Sequence, residues 1–197
     1  MVINWYGEGC FRVASGPLTL VSDPFESGIG LTPPRFKTDL VLKTGGYGAY
    51  ASEKDAEARL VSGPGEYEAK GIEVSGYAAG AGAVYVVRME EMRLVFLGGL
   101  SAALTPDVEE QLMGAHMLFV PAGGKPQLEV KDVAALIKKL EPRIVVASFF
   151  KIPGLKRQAG DLKDLEKALG QKIEVVEKFT TKAKDIGEGL KIIAMKV

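Results

Sequence analysis

The amino-acid sequence predicts a layered α/β fold, and three observations lead to this class. Short β-rich runs separated by glycine and proline fill the first half of the chain, whereas helical and strand patterns alternate in the second half. Glycine accounts for 24 of 197 residues, an excess over the usual share of about 7% that favours strands and turns over a helical bundle. No linker, repeat or low-complexity tract separates the halves, so we expect one domain over residues 1–197.

The first half predicts short strands divided by turns. Glycine and proline interrupt the β-rich runs, as at Gly7, Gly9 and Ser15-Gly16-Pro17, and these residues favour turns because of their unusual backbone preferences. The close spacing of the later runs, with turns such as Glu90-Glu91, indicates antiparallel meanders. The predicted strands of this half are residues 2–6, 10–14, 18–22, 39–43, 71–77, 83–88 and 92–97.

The second half predicts helices that alternate with buried strands. Thr105-Pro106-Asp107 has the order of helix cap, first-position proline and first-turn acid. Apolar residues over 130–140 recur at helical spacing on one face, and Pro142 ends that helix. The predicted helices are residues 105–113, 130–140 and 161–169, and the predicted strands are residues 117–120, 144–147, 173–180 and 190–196.

Charge and composition exclude several classes of function. Twenty-five Lys and Arg residues balance twenty-five Asp and Glu residues, which argues against a chain-wide nucleic-acid footprint and against a polybasic membrane anchor. No apolar window approaches the roughly 18 residues of a membrane span and no targeting pattern is visible, so we expect a cytoplasmic location. The single cysteine, Cys10, is expected to be buried and inert, and the single histidine, His116, to be structural.

Several segments match the motifs of one known family in the same order. They are Trp5-Tyr6-Gly7-Glu8-Gly9-Cys10-Phe11-Arg12, Ser22-Asp23-Pro24-Phe25, Gly63-Pro64-Gly65-Glu66-Tyr67-Glu68, Phe96-Leu97-Gly98-Gly99-Leu100, Val120-Pro121-Ala122-Gly123-Gly124, Glu141-Pro142-Arg143-Ile144-Val145 and Phe149-Phe150-Lys151-Ile152-Pro153. Through these motifs the chain resembles the metallo-β-lactamase superfamily, in its small single-domain branch of metal-dependent hydrolases related to sugar-lactone lactonases. The resemblance implies an αβ/βα sandwich of two mixed sheets flanked by helices.

The resemblance breaks at the residues that would bind metal. Where enzymes of this family have a His-x-His-x-Asp-His motif, this chain has Gly45, Tyr47, Ala49 and Tyr50. The family's bridging aspartate corresponds to Gly99, its late histidine to Phe149 and its early histidine to Glu8. Glycine, alanine and phenylalanine carry no ligand atom, and tyrosine is a poor zinc ligand at neutral pH. We therefore expect that the family's zinc is lost, that no cofactor is bound and that no catalytic residue remains.

The side chains around the corresponding pocket allow two interpretations. The acids Glu8, Asp23, Glu66 and Glu68 could assemble an oxygen-rich site for a divalent cation. Alternatively, Asp23 caps the turn before Pro24, and Glu66 and Glu68 pair with Lys70 or with solvent. The aromatic residues at these positions either fill the vacated cavity or form an apolar floor for a small ligand, and they are Tyr47, Tyr50, Phe149 and Phe150. The candidate pocket residues are Glu8, Asp23, Gly45, Tyr47, Tyr50, Glu66, Gly99, Phe149 and Lys151.

A basic cluster accompanies these pocket residues. Lys151, Lys156 and Arg157 follow the last family motif, and they either form a solvated loop or bind an anion. The solvated loop is the more common role of such a charge cluster.

These observations favour a pseudoenzyme, a non-catalytic protein on this fold that acts as an interaction or small-ligand-binding module. Its expected partner is another protein, including a second copy in a homodimer, or a small ligand, whereas neither nucleic acid nor a membrane is expected. One alternative is a hydrolase that is metal-independent or uses a rebuilt carboxylate site at Glu8, Asp23 and Glu66. Another is a structural subunit of a larger complex, which would expose a large apolar patch.

Overall fold

A computed structural model of the chain describes residues 1–35, 37–45 and 58–197. In chain order its strands are β1 (Val2–Trp5), β2 (Phe11–Ser15), β3 (Leu18–Ser22), β4 (Leu40–Lys43), β5 (Arg59–Ser62), β6 (Gly65–Ala69), β7 (Ile72–Ala79), β8 (Gly82–Met89), β9 (Met92–Phe96), β10 (Met117–Pro121), β11 (Ile144–Ser148), β12 (Glu174–Val176), β13 (Phe179–Thr180) and β14 (Lys191–Met195). The helices are α1 (Pro106–Leu112), α2 (Val130–Leu140) and α3 (Leu162–Leu169). No helix in the described ranges is long and apolar enough to span a membrane.

Two mixed sheets form the body of the fold. The first has the order β13-β1-β2-β3-β4-β5, with β1, β2 and β3 antiparallel and β3, β4 and β5 parallel. The second has the order β12-β14-β11-β10-β9-β8-β7-β6, in which β6 to β9 are antiparallel and β9, β10, β11, β14 and β12 are parallel. The predicted αβ/βα sandwich of two mixed sheets is thereby confirmed.

The helices begin and end where their sequence signals lie. The Thr105 hydroxyl accepts a hydrogen bond from the Val108 amide at the start of α1, and the Asp161 carboxylate accepts one from the Lys163 amide at the start of α3. These caps satisfy amides that have no partner within the helix. Helix α2 contacts β10 and both other helices, so the apolar face predicted from its spacing is the face that packs on the second sheet.

Two features differ from the strand prediction. Strands β5 and β6 lie where no strand was predicted, and each is an edge strand that is mostly exposed and so lacks a strong apolar pattern. The predicted single strand over residues 173–180 is two strands in different sheets, because β12 pairs with β14 whereas β13 pairs with β1. The chain therefore crosses from one sheet to the other at residues 177–178.

The two sheets share one core, with a cluster of phenylalanines at its centre. Phe119 of β10 stacks on Phe96 of β9 with ring centroids 4.2 Å apart, and it meets Phe11 of β2 edge-on at 4.8 Å. All three rings are buried. Because Phe11 belongs to the first sheet and the other two rings to the second, Phe119 is a direct link between the sheets.

Phe119→Ala is expected to lower the free energy of unfolding by about 3–5 kcal/mol, because it removes a buried ring and leaves a cavity between the sheets. Chemical denaturation in urea measures this change. The control is Val175→Ala on the edge strand β12, where the side chain is 53% exposed and the expected change is within about 0.5 kcal/mol. Equal losses in the two variants would contradict the central role of the Phe119 ring.

Candidate pocket at the edge of the sandwich

Three predicted pocket residues share an unusual backbone conformation. Glu8 lies in the turn between β1 and β2, Asp23 follows β3 and Phe149 follows β11, and their φ angles are 50°, 38° and 55°. The left-handed region costs a residue other than glycine roughly 1–2 kcal/mol. Such strain persists where the surrounding structure enforces it, which is typical of functional sites.

Asp23 presents a buried carboxyl group that is held by Thr44. Its Oδ1 accepts a hydrogen bond from the Thr44 amide at 2.8 Å, and its Oδ2 accepts one from Thr44 Oγ1 at 2.7 Å. Burial raises the pKa of Asp23 to about 7, and the two hydrogen bonds from Thr44 oppose part of that rise. The carboxyl group of Asp23 therefore titrates closer to neutral pH than that of an exposed aspartate.

Glycines allow the chain segments to converge on this carboxyl group. A Cβ atom at Gly9 would stand 2.9 Å from both Asp23 Oδ2 and Phe149 Cζ, so only glycine permits the carboxyl group and the ring to approach this point. A Cβ atom at Gly98 would stand 2.0 Å from Thr44 Oγ1, the group that donates to Asp23. Gly9 and Gly98 thus set the shape of the pocket wall.

An ion pair between Arg157 and Glu8 lies next to Phe149. Arg157 Nε and Nη2 donate to Glu8 Oε2 and Oε1 at 3.1 and 3.0 Å, and both side chains are only 9% exposed. Nη2 also donates to the carbonyl oxygen of Phe149 at 2.9 Å, and the guanidinium group lies 6.0 Å from the centre of the Phe149 ring. The paired geometry is the strong form of an arginine–carboxylate contact.

The structure brings together some of the predicted pocket residues. Glu8, Asp23 and Phe149 converge as described, and Gly45 and Gly99 adjoin Thr44 and Gly98 in the chain. Tyr47 and Tyr50, like Ala49, lie outside the described residues.

Other predicted residues lie apart from this convergence. Glu66 is exposed on β6, where its Oε2 accepts a hydrogen bond from Ser75 Oγ at 2.8 Å, and β6 is five strands away from β11 in the second sheet. Lys151 is exposed, and its amide donates to the Gly160 carbonyl oxygen at 2.9 Å. The structure therefore does not bring the carboxylates of Glu8, Asp23 and Glu66 together into one site.

The remaining titratable candidates have structural surroundings. Cys10 is buried, and burial raises the pKa of its thiol, so it carries little of the reactive thiolate. His116 Nδ1 accepts a hydrogen bond from the Arg93 amide at 2.9 Å.

Sequence reasoning missed the part that Arg157 plays. The basic cluster of Lys151, Lys156 and Arg157 was expected to be a solvated loop or an anion site, yet the Arg157 side chain is buried against Glu8. The two residues are 149 positions apart, so no local pattern could have paired them.

The described part of the pocket does not fit the family's zinc. Both carboxyl oxygens of Asp23 accept hydrogen bonds from Thr44, and both of Glu8 accept from Arg157. Within residues 1–35, 37–45 and 58–197, no three His, Cys, Asp or Glu side chains are grouped so that they could hold a metal ion. A structural zinc site needs four ligands and a catalytic one three, and the described residues do not supply such a set.

The fold and this pocket define a class, the αβ/βα sandwiches with a site at the edge where strand ends from both sheets meet. Residues 2–148 match the family model described as the beta-lactamase superfamily domain. The chain therefore belongs to the β-lactamase superfamily. No curated protein matches the chain by sequence.

Solved structures share the fold over almost the whole chain. A proposed Zn-dependent hydrolase of the metallo-β-lactamase superfamily from Thermotoga maritima has a TM-score of 0.84 and 24% identity, with 100% of both chains covered. A metallo hydrolase from Ignicoccus hospitalis has a TM-score of 0.68 and 16% identity, covering 92% of this chain and 99% of the other. A proposed metal-dependent hydrolase from Parabacteroides distasonis has a TM-score of 0.62 and 14% identity, covering 96% and 91%.

These comparisons correct one prediction. The replaced ligand positions led us to expect a chain without a cofactor, but the structures it resembles are described as Zn-dependent, metallo and metal-dependent hydrolases. The expectation that the family's zinc is lost and that no cofactor is bound was therefore wrong. The absence of ligands at the motif positions does not exclude a metal, because a metal site is assembled in space from any suitable donor atoms.

Arg157→Met is expected to lower the free energy of unfolding by about 3–5 kcal/mol, because it leaves the Glu8 carboxylate buried without its partner. The double variant Glu8→Gln with Arg157→Met should recover part of this loss, since it also removes the buried charge. Urea denaturation measures both. Arg88→Met, which breaks an exposed ion pair with Glu73, is the control, and its free energy of unfolding should fall by less than about 1 kcal/mol. An equally small decrease in Arg157→Met would contradict a structural role of the buried pair with Glu8.

Asp23 is expected to make the protein less stable as the pH rises from about 4 to 7. In this window the unfolded chain releases the Asp23 proton whereas the folded chain keeps it, so deprotonation favours unfolding. Asp23→Asn should remove this dependence, so that the stability of the variant relative to the wild type improves by at least about 1 kcal/mol between pH 4 and 7. Denaturation at several pH values measures the difference.

Asp39→Asn provides a control of the opposite sign. Lys70 and the Thr19 amide lower the pKa of Asp39, so its contribution to stability is present above its unfolded pKa and is lost as the pH falls through its folded pKa.

A difference in stability between the wild type and Asp23→Asn that does not vary with pH would show that the pKa of Asp23 is not raised in the folded protein.

Proposed function

We propose that this member of the β-lactamase superfamily is a pseudoenzyme, which uses its fold as an interaction or small-ligand-binding module. The observation that carries this proposal is the engagement of the pocket side chains with one another. Glu8 is bound by Arg157, and the Phe149 ring fills the space beside Gly9 and Asp23.

The chemistry of the pocket supports binding over acyl or phosphoryl transfer by the family mechanism. Hydrolysis needs an activated water or nucleophile beside groups that stabilise developing charge. The Arg157 guanidinium group, which is suited to an anionic intermediate, is neutralised by Glu8. The Cys10 thiol is buried with a raised pKa, and His116 precedes β10 and accepts a hydrogen bond at Nδ1 from the Arg93 amide.

The proposal includes protein partners as well as small ligands, and a second copy of this chain is one of them. Sedimentation velocity over a wide concentration range tests that part. A single monomeric species at every concentration would remove the homodimer from the proposal and leave the ligand and other proteins. Neither nucleic acid nor a membrane surface is a proposed partner, because the charges balance to a formal net charge of zero.

The surroundings of Asp23 and the descriptions of the similar structures support a second function. A buried carboxyl group with a pKa of about 7, held in a strained backbone conformation, is a group of the kind that enzymes use as an acid, a base or a ligand. The alternative is therefore a metal-dependent hydrolase whose site includes Asp23, as the structures with this fold are described as metal-dependent hydrolases.

Zinc loading combined with hydrolase assays separates the two functions. The full chain is dialysed against excess zinc and then metal-free buffer, its metal content is determined by elemental analysis, and turnover of lactone, phosphodiester and β-lactam substrates is measured with and without a chelator. The binding module predicts no chelator-sensitive turnover, and Asp23→Asn then behaves as the wild type. The hydrolase predicts stoichiometric zinc and turnover that Asp23→Asn lowers by about 10- to 100-fold.

Glu73→Gln is the matched control, because it neutralises an exposed carboxylate on β7 that pairs with Arg88. It should leave any turnover unchanged. Chelator-sensitive turnover that depends on Asp23 and not on Glu73 would overturn the pseudoenzyme proposal.

A further inference from the structure

Strand β6 forms one edge of the second sheet and, among the described strands, pairs with β7 alone. The two strands are joined by the two-residue turn Lys70-Gly71, whose φ angles are 52° and 81°. A hairpin turn of this kind makes the two residues that flank it a hydrogen-bonded pair, and such pairs then alternate along the ladder. The backbone N–H and C=O groups of Glu66 and Glu68 therefore point away from β7, toward the open edge.

This edge is accessible to another strand. Both Glu66 and Glu68 are exposed, and no strand in the described ranges lies beyond β6. A row of outward backbone donors and acceptors is a template for strand pairing. Several domains bind extended peptides in this way, by adding the peptide as one more strand of a sheet.

The two faces of β6 differ in character, because successive side chains of a strand point to opposite sides of the sheet. Tyr67 and Ala69 are partly buried and pack against the main hydrophobic core. Glu66 and Glu68 lie on the opposite, solvent-exposed face. An added strand would continue both faces, so its side chains would lie alternately beside the apolar pair and beside the two acids.

The two acids leave this edge with a surplus of negative charge. The carboxylates of Glu66 and Glu68 accept hydrogen bonds from neutral groups of β7 and of the turn at 2.8 and 2.9 Å, and neither forms an ion pair with a described residue. Lys70, the nearest cation in the sequence, is instead paired with Asp39 at 2.5 Å. Opposite charges across a strand pair are stabilising, so the edge favours a strand with cationic side chains.

A second copy of this chain fits the edge poorly. In the symmetric antiparallel register that uses the outward groups of both residues, Glu66 of one copy would lie opposite Glu68 of the other. Like charges directly opposite one another destabilise a strand pair. The occupant that the charges favour is therefore a segment of a different protein.

We propose that β6 docks an extended segment of a partner protein in which Lys or Arg alternates with apolar residues. The backbone groups of Glu66 and Glu68 hydrogen-bond the segment, their carboxylates attract its cations, and its apolar side chains lie beside Tyr67 and Ala69. The proposal rests on the function proposed above, since it names the docking surface and the partner chemistry of an interaction module.

Three peptides with blocked ends test the backbone and charge contacts separately. They are Lys-Val-Lys-Val-Lys, the charge-reversed Glu-Val-Glu-Val-Glu, and the lysine peptide methylated on its lysine backbone nitrogens. Methylation keeps the charge and removes the N–H groups that would face the edge when the lysine side chains lie over Glu66 and Glu68. Each peptide is titrated into the full-length, isotopically labelled protein while backbone amide resonances are followed by NMR.

The unmodified lysine peptide is expected to bind most tightly and to shift the resonances of residues 65–69. The charge-reversed and the methylated peptides should each bind at least about tenfold more weakly. Equal binding of the methylated peptide would show a contact by charge alone and overturn strand addition. Equal binding of the charge-reversed peptide, or no shift in residues 65–69 with any peptide at millimolar concentration, would also overturn the proposal.

A double variant assigns the charge contact to the two acids. Glu66→Gln with Glu68→Gln should weaken the lysine peptide by about three- to tenfold, and the glutamine oxygens can still accept the hydrogen bonds from β7 and the turn. Glu174→Gln is the matched control, because Glu174 is an exposed acid on β12, the opposite edge strand of the same sheet, where it pairs with Lys191. Affinities that are equal in the double variant and the wild type would remove the carboxylates from the site and contradict the proposed partner chemistry.

The remaining outcomes separate this proposal from the proposed function. Shifts of residues 65–69 that depend on protein concentration without peptide would identify a second copy as the occupant and overturn the partner segment. Absence of peptide binding without chelator-sensitive turnover rejects this docking surface and keeps the interaction module. Zinc-dependent turnover that requires Asp23 rejects the module, whatever the peptides do.

Discussion

The buried contact between Arg157 and Glu8 is the interaction on which the pocket depends. It joins the loop after β11 to the turn between β1 and β2, and so ties the last family motif to the first. A buried carboxylate is tolerable only with a partner and further hydrogen bonds. Here the partner is a guanidinium group that also holds the Phe149 carbonyl oxygen. The positions of Phe149 and Glu8 are therefore set together.

The backbone of the pocket is strained at three positions. Glu8, Asp23 and Phe149 have left-handed conformations, and Gly9 and Gly98 occupy points where any side chain would collide with a neighbour. Each of these features has a cost or a steric requirement, so the strand ends are positioned by the whole sandwich and not by local preference. The scaffold thus brings a fixed set of positions together, and the residues at those positions decide what it does.

The sequence predicted what local rules control and missed what distant contacts control. Helices α1 and α3 were predicted at nearly their observed bounds because caps are local signals, whereas β5 and β6, as exposed edge strands, carry little apolar pattern. The motifs identified the fold and brought Asp23 and Phe149 into one pocket, but they also suggested Glu66, which sheet order places at a far edge. The prediction that no cofactor is bound was wrong, since a missing motif does not define what a family member can assemble.

Asp23 is the point at which the two functions make opposite demands. A metal ligand has to be deprotonated, and a bound cation would lower the pKa of its carboxyl group. Burial instead raises that pKa to about 7, so metal binding at Asp23 would have to overcome both the desolvation of the carboxylate and its hydrogen bonds with Thr44. In a binding module the protonated form of this carboxyl group is compatible with the adjacent Phe149 ring, because no buried charge then lies against an apolar surface. A folded-state pKa of Asp23 that falls when zinc is added would therefore indicate a metal ligand, and one that zinc leaves unchanged would indicate a carboxyl group outside any metal site.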